Sequence, residues 1–290
     1  MTRTANPKVS IITINLNNKI GLRKTIESVI TQTSNDFEYI IIDGASTDGS
    51  LEVLKEFGDK IDYWISEKDS GIYYAMNKGI KIAKGEYLLF LNSGDWLFKN
   101  EVLEKTCELI QPDASVCSAN IYFDDGNSLI HYTSPLSVDF NYLLNGSLSH
   151  PSSFIKRSMF EKHGMYNEAN KIASDWEFFF LILVMKGGKY QKLQSTLTVF
   201  NITGISNEPS MKAVIDKERE EAINRFLPKL LHSELVNLQK EMLQYKILKQ
   251  RVSGRRYLLL EQIEKNVLLS RLLTIQMFVL SKIVNFLAKL

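Results

Sequence analysis

Between residues 9 and 91 the chain repeats one alternation: a short apolar run of β-forming residues, a polar break, then a stretch with helical spacing. Val9-Ser-Ile-Ile-Thr-Ile14, Phe37-Glu-Tyr-Ile-Ile-Ile-Asp43, Ile61-Asp-Tyr-Trp-Ile65 and Tyr87-Leu-Leu-Phe-Leu91 read as four strands. Between them fall a helix over about 20–31, a second opened by Gly44-Ala-Ser-Thr-Asp-Gly49, and a third over 72–84 stopped by Gly85. Ser46 or Thr47, with Asp48, are the expected caps of the second helix. Strand–helix–strand units at this rhythm need crossover connections, which predicts an α/β fold with a mainly parallel, Rossmann-like sheet buried between helices. With 290 residues, 44% of them hydrophobic, the chain can fill such a core.

The middle is less regular. Ser115–Phe123 reads as a strand with Leu129–Tyr132 across a turn, Ser158–Lys162 as one helical turn, and Ser174–Met185 as a helix closed by Gly187-Gly188. Beyond about residue 207 the periodicity is helical throughout. The expected division is therefore 1–207 for the α/β domain and 208–290 for a helical extension.

Charge and composition exclude several classes. The 35 basic and 33 acidic residues leave a net charge of +2, so a nucleic-acid partner is not expected. Cys107 and Cys117 are too few for a disulfide scaffold, which points to a reduced compartment. Residues 1–7 lack the apolar run of a leader, and no uncharged apolar run reaches spanning length. A P-loop, a Gly-x-Gly-x-x-Gly turn after the first strand and a Gly-x-Ser-x-Gly elbow are all missing. His131, His150, His163 and His232 have no ligand spacing.

In an open α/β sheet, ligands bind beyond the carboxyl ends of the strands. Here those ends carry Asn15 and Asn17, Asp43 and Gly44, Glu67 and Asp69, and Asn92-Ser-Gly-Asp95. Any one could be an ordinary polar turn, but four converge on one crevice. The Asp95 loop suits a divalent cation completed by phosphate and water.

Three stretches in order carry a resemblance: Ile-Asp-Gly-Ala-Ser-Thr-Asp-Gly-Ser (42–50), Ser-Glu-Lys-Asp-Ser-Gly-Ile-Tyr-Tyr-Ala-Met-Asn-Lys-Gly (66–79) and Phe-Leu-Asn-Ser-Gly-Asp (90–95). His-Pro-Ser-Ser-Phe (150–154), Ser-Asp-Trp-Glu-Phe (174–178) and Thr-Gly-Ile-Ser-Asn (203–207) extend it. Together they resemble the family-two glycosyltransferases, in particular the bacterial capsule, O-antigen and colanic-acid type. The resemblance implies a GT-A fold and inverting sugar transfer from a nucleotide-diphosphate sugar. Carried over, it implies that Thr13, Asn15, Asn17, Asp43, Gly44, Asp69, Lys78, Asn92, Ser93 and Gly94 hold the nucleotide sugar, with Asp43 on the base. Asp95 would bind a divalent cation (Mg²⁺ or Mn²⁺), Asp175 would be the general base, and His150 and Trp176 would face the acceptor. Two positions depart from the pattern: Asn92 or Ser93 replaces the first Asp of the Asp-x-Asp element, and Tyr74 stands where Asp is common.

Each residue also has a plainer reading. Asp175 opens an apolar helix, where an acidic residue favours the dipole whatever its chemistry. Glu177 reads as helix surface or support, Asp48 as a cap, Lys78 as solvated, and His150 and Trp176 as packed rings.

Residues 245–290 hold nine basic and two acidic residues, a net +7 that leaves −5 on 1–244. Between Asn266 and Leu290 a broad apolar arc is rimmed by cations, which reads as a helix lying in an anionic membrane surface. The other readings are a hairpin packed on the body and a homodimer seam. The expectation is a protein on the cytoplasmic face of the cell membrane, using a lipid-linked saccharide acceptor. A catalytically weak nucleotide-sugar-binding or scaffold subunit and a nucleotidyltransferase would share the same sheet.

Overall fold

The computed structural model describes residues 6–202, 204 and 208–227. The chain divides into two compact units, Met1–Phe226 and Leu227–Leu290, and every element below belongs to the first. The strands are β1 (Val9–Asn15), β2 (Phe37–Asp43), β3 (Tyr63–Ser66), β4 (Tyr87–Phe90), β5 (Trp96–Leu97), β6 (Val116–Asp124), β7 (Leu129–Tyr132), β8 (Ser153–Lys156) and β9 (Tyr190–Asn201). The helices are α1 (Lys19–Ile30), α2 (Ser50–Phe57), α3 (Ile72–Ile82), α4 (Val102–Cys107), α5 (Phe140–Asn145), α6 (Arg157–His163), α7 (Ser174–Phe179) and α8 (Lys212–Phe226).

One sheet runs β3-β2-β1-β4-β8-β6-β9-β5, with β7 paired to β6. Strands β1 to β4 are parallel, as the alternation predicts. Beyond β4 the sheet is mixed, because β8 runs antiparallel to both β4 and β6 while β6 and β9 are parallel. Neither β8 nor β9 is expected from periodicity. Ser153–Lys156 is short, and β9 alternates irregularly through Gln191-Lys-Leu-Gln-Ser-Thr196. Partners, not local pattern, make them strands.

Both faces of the parallel half are apolar, as buried strands require. Val9, Ile11, Tyr39, Ile41 and Leu89 pack on Leu22, Ile26 and Val29 of α1 and Val53 and Leu54 of α2. The opposite face receives α3. There Gly79 lies so close that a Cβ would sit 2.5 Å from Ile12 Cγ2, so glycine sets the helix–sheet distance. Further along this face, Phe90 stacks on His150 at 4.8 Å, and Phe160 stacks on Phe178 at 4.2 Å.

Three local expectations change. Gly49, at φ 95°, is the N-cap of α2, not Ser46 or Thr47. Asp48 instead accepts from the backbone N–H of Ser50 (3.1 Å) and of Lys19 (2.7 Å), tying the starts of α2 and α1 together. The helix expected over 174–185 is α-helical only to Phe179; Phe180–Met185 is a π-helical turn, with Lys186 N donating to Leu181 O.

Helix α8 lies past the boundary expected at 207, yet within the first unit. Its Glu218, 7% exposed, accepts from the backbone N–H groups of Lys171, Ile172 and Ala173 at 2.6, 3.1 and 3.0 Å. Arg225 pairs with Glu177 at 2.7 Å. A buried carboxylate accepting from three backbone amides makes several charge-assisted hydrogen bonds. Glu218→Ala should therefore lower stability by about 3 kcal/mol, read as a fall in the denaturation midpoint with α8 exposed to hydrogen exchange. Unchanged stability would show that α8 is not anchored there.

Candidate active site

The parallel register brings Asn15 opposite Asp43 and Asp43 opposite Ser66, so three strands end on one line. Asp43 is fully buried. Its Oδ1 accepts from Asn15 Nδ2 (2.7 Å) and Ser46 Oγ (2.6 Å), and its Oδ2 from Ser46 N (3.0 Å) and Ser66 Oγ (2.6 Å). A carboxylate has about four such positions, and all are used inside the protein. The carboxylate fixes the Asn15 amide so that Oδ1 is the free end, and that oxygen is buried with no hydrogen-bond partner among the described residues.

Beyond this line lies a cavity of about 590 Å³, bordered by Asn15, Gly44, Asp69, Ser93, Asp95 and Asn201 among others. A second cavity of about 350 Å³ holds Asp175, His150, Trp176 and Arg219. The two share Ile72, Asn92, Asp95 and Phe200, so the Asn92–Asp95 turn is the junction.

That turn is held from both sides. Gly94 has φ 105°, open to glycine, and its N–H donates to Thr25 Oγ1 at 3.0 Å. Thr25 Oγ1 in turn donates to Asp95 O at 2.7 Å, and Asn18 Nδ2 donates to Ser93 O at 3.0 Å. The Asp95 side chain is 4% exposed and accepts from Asn201 N at 3.1 Å. Burial pushes its carboxyl up to about 8. Asn92 Oδ1 beside it is buried and unpartnered among the described residues. One carboxylate and one amide oxygen are hard donors, and so small a set fits a cation that keeps water and takes phosphate oxygens. No group of three His, Cys, Asp or Glu side chains suited to a metal occurs among the described residues.

Across the junction, Asp175 sits in the first turn of α7, whose cap position is Ala173. Its Oδ1 accepts from Tyr73 Oη at 2.8 Å. Tyr73 is itself buried, and burial beside the Asp175 charge raises its phenol well above the ordinary range, so it stays a donor. Tyr73→Phe should leave the fold and cavity binding intact while lowering any turnover that uses Asp175 roughly 5- to 10-fold, the worth of one orienting hydrogen bond. Wild-type turnover in this variant would show that the phenol does not hold the carboxylate in place.

The remaining predicted residues fall in several places. Asp69 borders the larger cavity and pairs with Lys78 at 2.5 Å, and burial raises its pKa while Lys78 pulls it down. Lys78 also meets Glu67 at 2.5 Å, so its charge is committed to carboxylates. Asn17, at φ 49°, accepts from Thr47 N at 2.8 Å and shapes the loop. Thr13 is fully buried on the α1/α2 face of the sheet, donating to Leu91 O at 2.6 Å, and does not border either cavity. His150 bonds Tyr166 Oη at 2.9 Å, and burial lowers its pKa, so it is a neutral, packed ring. Trp176 donates Nε1–H to Leu143 O at 2.7 Å and borders the smaller cavity.

Sequence reading missed four participants. Tyr73 sits inside a quoted motif without a role. Asn201 ends β9 and was detectable as a polar residue closing Leu197-Thr-Val-Phe. Glu218 and Arg219 stand in Lys217-Glu-Arg-Glu-Glu221, which looks like a solvated helix face and carries no local signal.

Known proteins share this fold. The family model of glycosyl transferase family 2 matches residues 10–186. A PGL/p-HBAD biosynthesis glycosyltransferase of Mycobacterium tuberculosis is 30% identical over 178 residues, covering 60% of this chain and 69% of that one. An uncharacterized glycosyltransferase of the same species is 31% identical over 230 residues, covering 78% and 87%. Among solved structures, S. aureus TarS in complex with UDP-GlcNAc superposes with a TM-score of 0.55 at 21% identity, over 67% of this chain and 58% of that one. A mannosyltransferase from Pyrobaculum calidifontis, in complex with GDP-Man and Mn²⁺, gives 0.54 at 15% identity over 90% and 87%.

Proposed function

The chain belongs to glycosyl transferase family 2 and has the GT-A fold, and from that premise we propose that it transfers a sugar, with inversion, from a nucleotide-diphosphate sugar to an acceptor hydroxyl. The carrying observation is the junction: a strand-end cavity and the Asp175 cavity meet at Asn92 and Asp95. The nucleotide sugar occupies the larger cavity, where the free Asn15 Oδ1 accepts from base or ribose and Asp43 keeps that amide oriented. The acceptor enters beside Trp176. Its hydroxyl oxygen attacks the anomeric carbon, the bond from that carbon to the diphosphate oxygen breaks, and Asp175 takes the hydroxyl proton. Tyr73 occupies Oδ1 of Asp175 and leaves the second oxygen to the acceptor. Asp95 and Asn92 would hold a divalent cation, which supplies neutralising charge to the leaving diphosphate when bound.

A panel of nucleotide sugars scored by thermal shift, followed by detection of slow sugar-nucleotide hydrolysis, tests the reading. Stabilisation by one donor with release of free sugar is expected. Binding without release would favour a binding subunit, and pyrophosphate release a nucleotidyltransferase.

The acceptor reading is a lipid-linked saccharide in surface polysaccharide synthesis, at an anionic membrane. Its support is the +7 charge on residues 245–290, which lie outside the described residues. Among the described residues no helix is long and apolar enough to cross a membrane. Each basic residue near an anionic surface contributes on the order of 1 kcal/mol, so the full chain should sediment with anionic liposomes at low salt. Truncation after residue 245 should release it; a full-length protein left in the supernatant would remove the membrane from the proposal.

A further inference from the structure

Arg219 is the unexplained charge of the smaller cavity. It projects from α8, its guanidinium carbon 5.0 Å from the centre of the Trp176 ring, and it borders the same space as Asp175. Its Nε is buried and has no hydrogen-bond partner among the described residues, and no ion pair with it occurs among them. Nearby Glu177 is paired with Arg225, and Glu218 holds three backbone amides, so neither carboxylate is paired with Arg219. Desolvation lowers its pKa, with the Asp175 and Asp216 charges opposing that effect.

A partly buried guanidinium without an ion-pair partner is costly, yet the fold fixes this one. Glu218, the preceding residue, clamps α8 onto the loop entering α7 and so sets where Arg219 emerges. Its carbon lies over the Trp176 ring, and with no ion pair to it among the described residues the guanidinium is left for an anion in the cavity it borders. A planar fork of donors suits a phosphate or carboxylate and fits nothing neutral as well.

We propose that Arg219 forms an anion subsite in the acceptor cavity, so that the acceptor carries a phosphate-class group close to the hydroxyl that reacts. This rests on the glycosyl-transfer reading for the word acceptor, but not for the anion. Of the two cavities, Arg219 borders the Asp175 one and not the strand-end one, which puts its anion on the acceptor side of the Asn92–Asp95 junction.

The test uses the full chain with glycerol 3-phosphate as a simple phosphomonoester probe. Calorimetry measures UDP and GDP binding first, then glycerol 3-phosphate binding to protein saturated with the tighter nucleotide, in wild type, Arg219→Gln and Arg219→Lys. The expected result is nucleotide affinity within about threefold in all three proteins. Probe affinity should fall roughly 10- to 100-fold in Arg219→Gln, the loss of a charged hydrogen-bonding partner, and be partly restored in Arg219→Lys, with thermal denaturation showing both variants folded. Probe binding that is absent in wild type or equal in all three would overturn the subsite and leave Arg219 a packing partner of Trp176. A tenfold loss of nucleotide affinity with no change in the probe would place the anion on the donor and overturn the acceptor assignment. If no nucleotide binds wild type, the glycosyl-transfer reading fails, while probe binding that depends on Arg219 still establishes the anion subsite.

Discussion

Asp175→Asn is expected to reduce turnover by a factor of roughly 10² to 10⁴, the range a positioned general base contributes, with nucleotide-sugar affinity unchanged. The substitution keeps the size of the side chain, and the amide oxygen can still accept from Tyr73 Oη, now 2.8 Å from the carboxylate. It removes only the site to which the acceptor proton goes. Asp175 lies outside the strand-end cavity, so donor binding measured by calorimetry should not register the change. Turnover within a few-fold of wild type would assign Asp175 to the helix dipole and put the base elsewhere.

Asp95→Asn should abolish stabilisation by divalent cations and, with it, most of the turnover. The pH dependence gives a second, activity-free signature. The Asp95 carboxyl is raised from 3.8 to about 8 by burial, so without a cation the folded protein holds a proton there that the unfolded chain releases near pH 4. The stability this lends is fully present below the unfolded value and is lost as pH rises through the folded one. Cation-free wild type should therefore lose stability between about pH 4 and pH 8 through this group, a slope absent from Asp95→Asn. A divalent cation competes with the proton, so its binding should tighten with rising pH and restore the wild type alone. Equal cation-induced shifts in both proteins, read by thermal denaturation, would remove Asp95 from the cation site.

The strand-end residues illustrate what local sequence can carry. Asn15, Asp43, Asp69 and Asp95 each follow a short apolar run, and a parallel sheet must open such runs at one edge. Their convergence was therefore readable. Their division of labour was not. Asp43 was expected on the nucleobase, but its oxygens are filled by Asn15, Ser46 and Ser66; those bonds depend on inter-strand register and loop path. Lys78, expected either among the nucleotide-sugar residues or in solvent, pairs instead with Glu67 and Asp69 at 2.5 Å.

By itself, then, the sequence determined the parallel half of the sheet, because strand and helix periodicities are set within a dozen residues. It also determined which strand ends are polar, and, through six motifs in order, the family. The tertiary structure alone decided the mixed half, where β8 and β9 become strands only by pairing with β4 and β6. It likewise decided the second cavity, where Tyr73 reaches Asp175 across 102 positions of chain. Arg219 is the extreme case. Its neighbours in sequence say solvent, and only Glu218 docking on the loop at 171–173 turns that face inward. A side chain's role here follows from what long-range contacts bring beside it, and that quantity has no period to read.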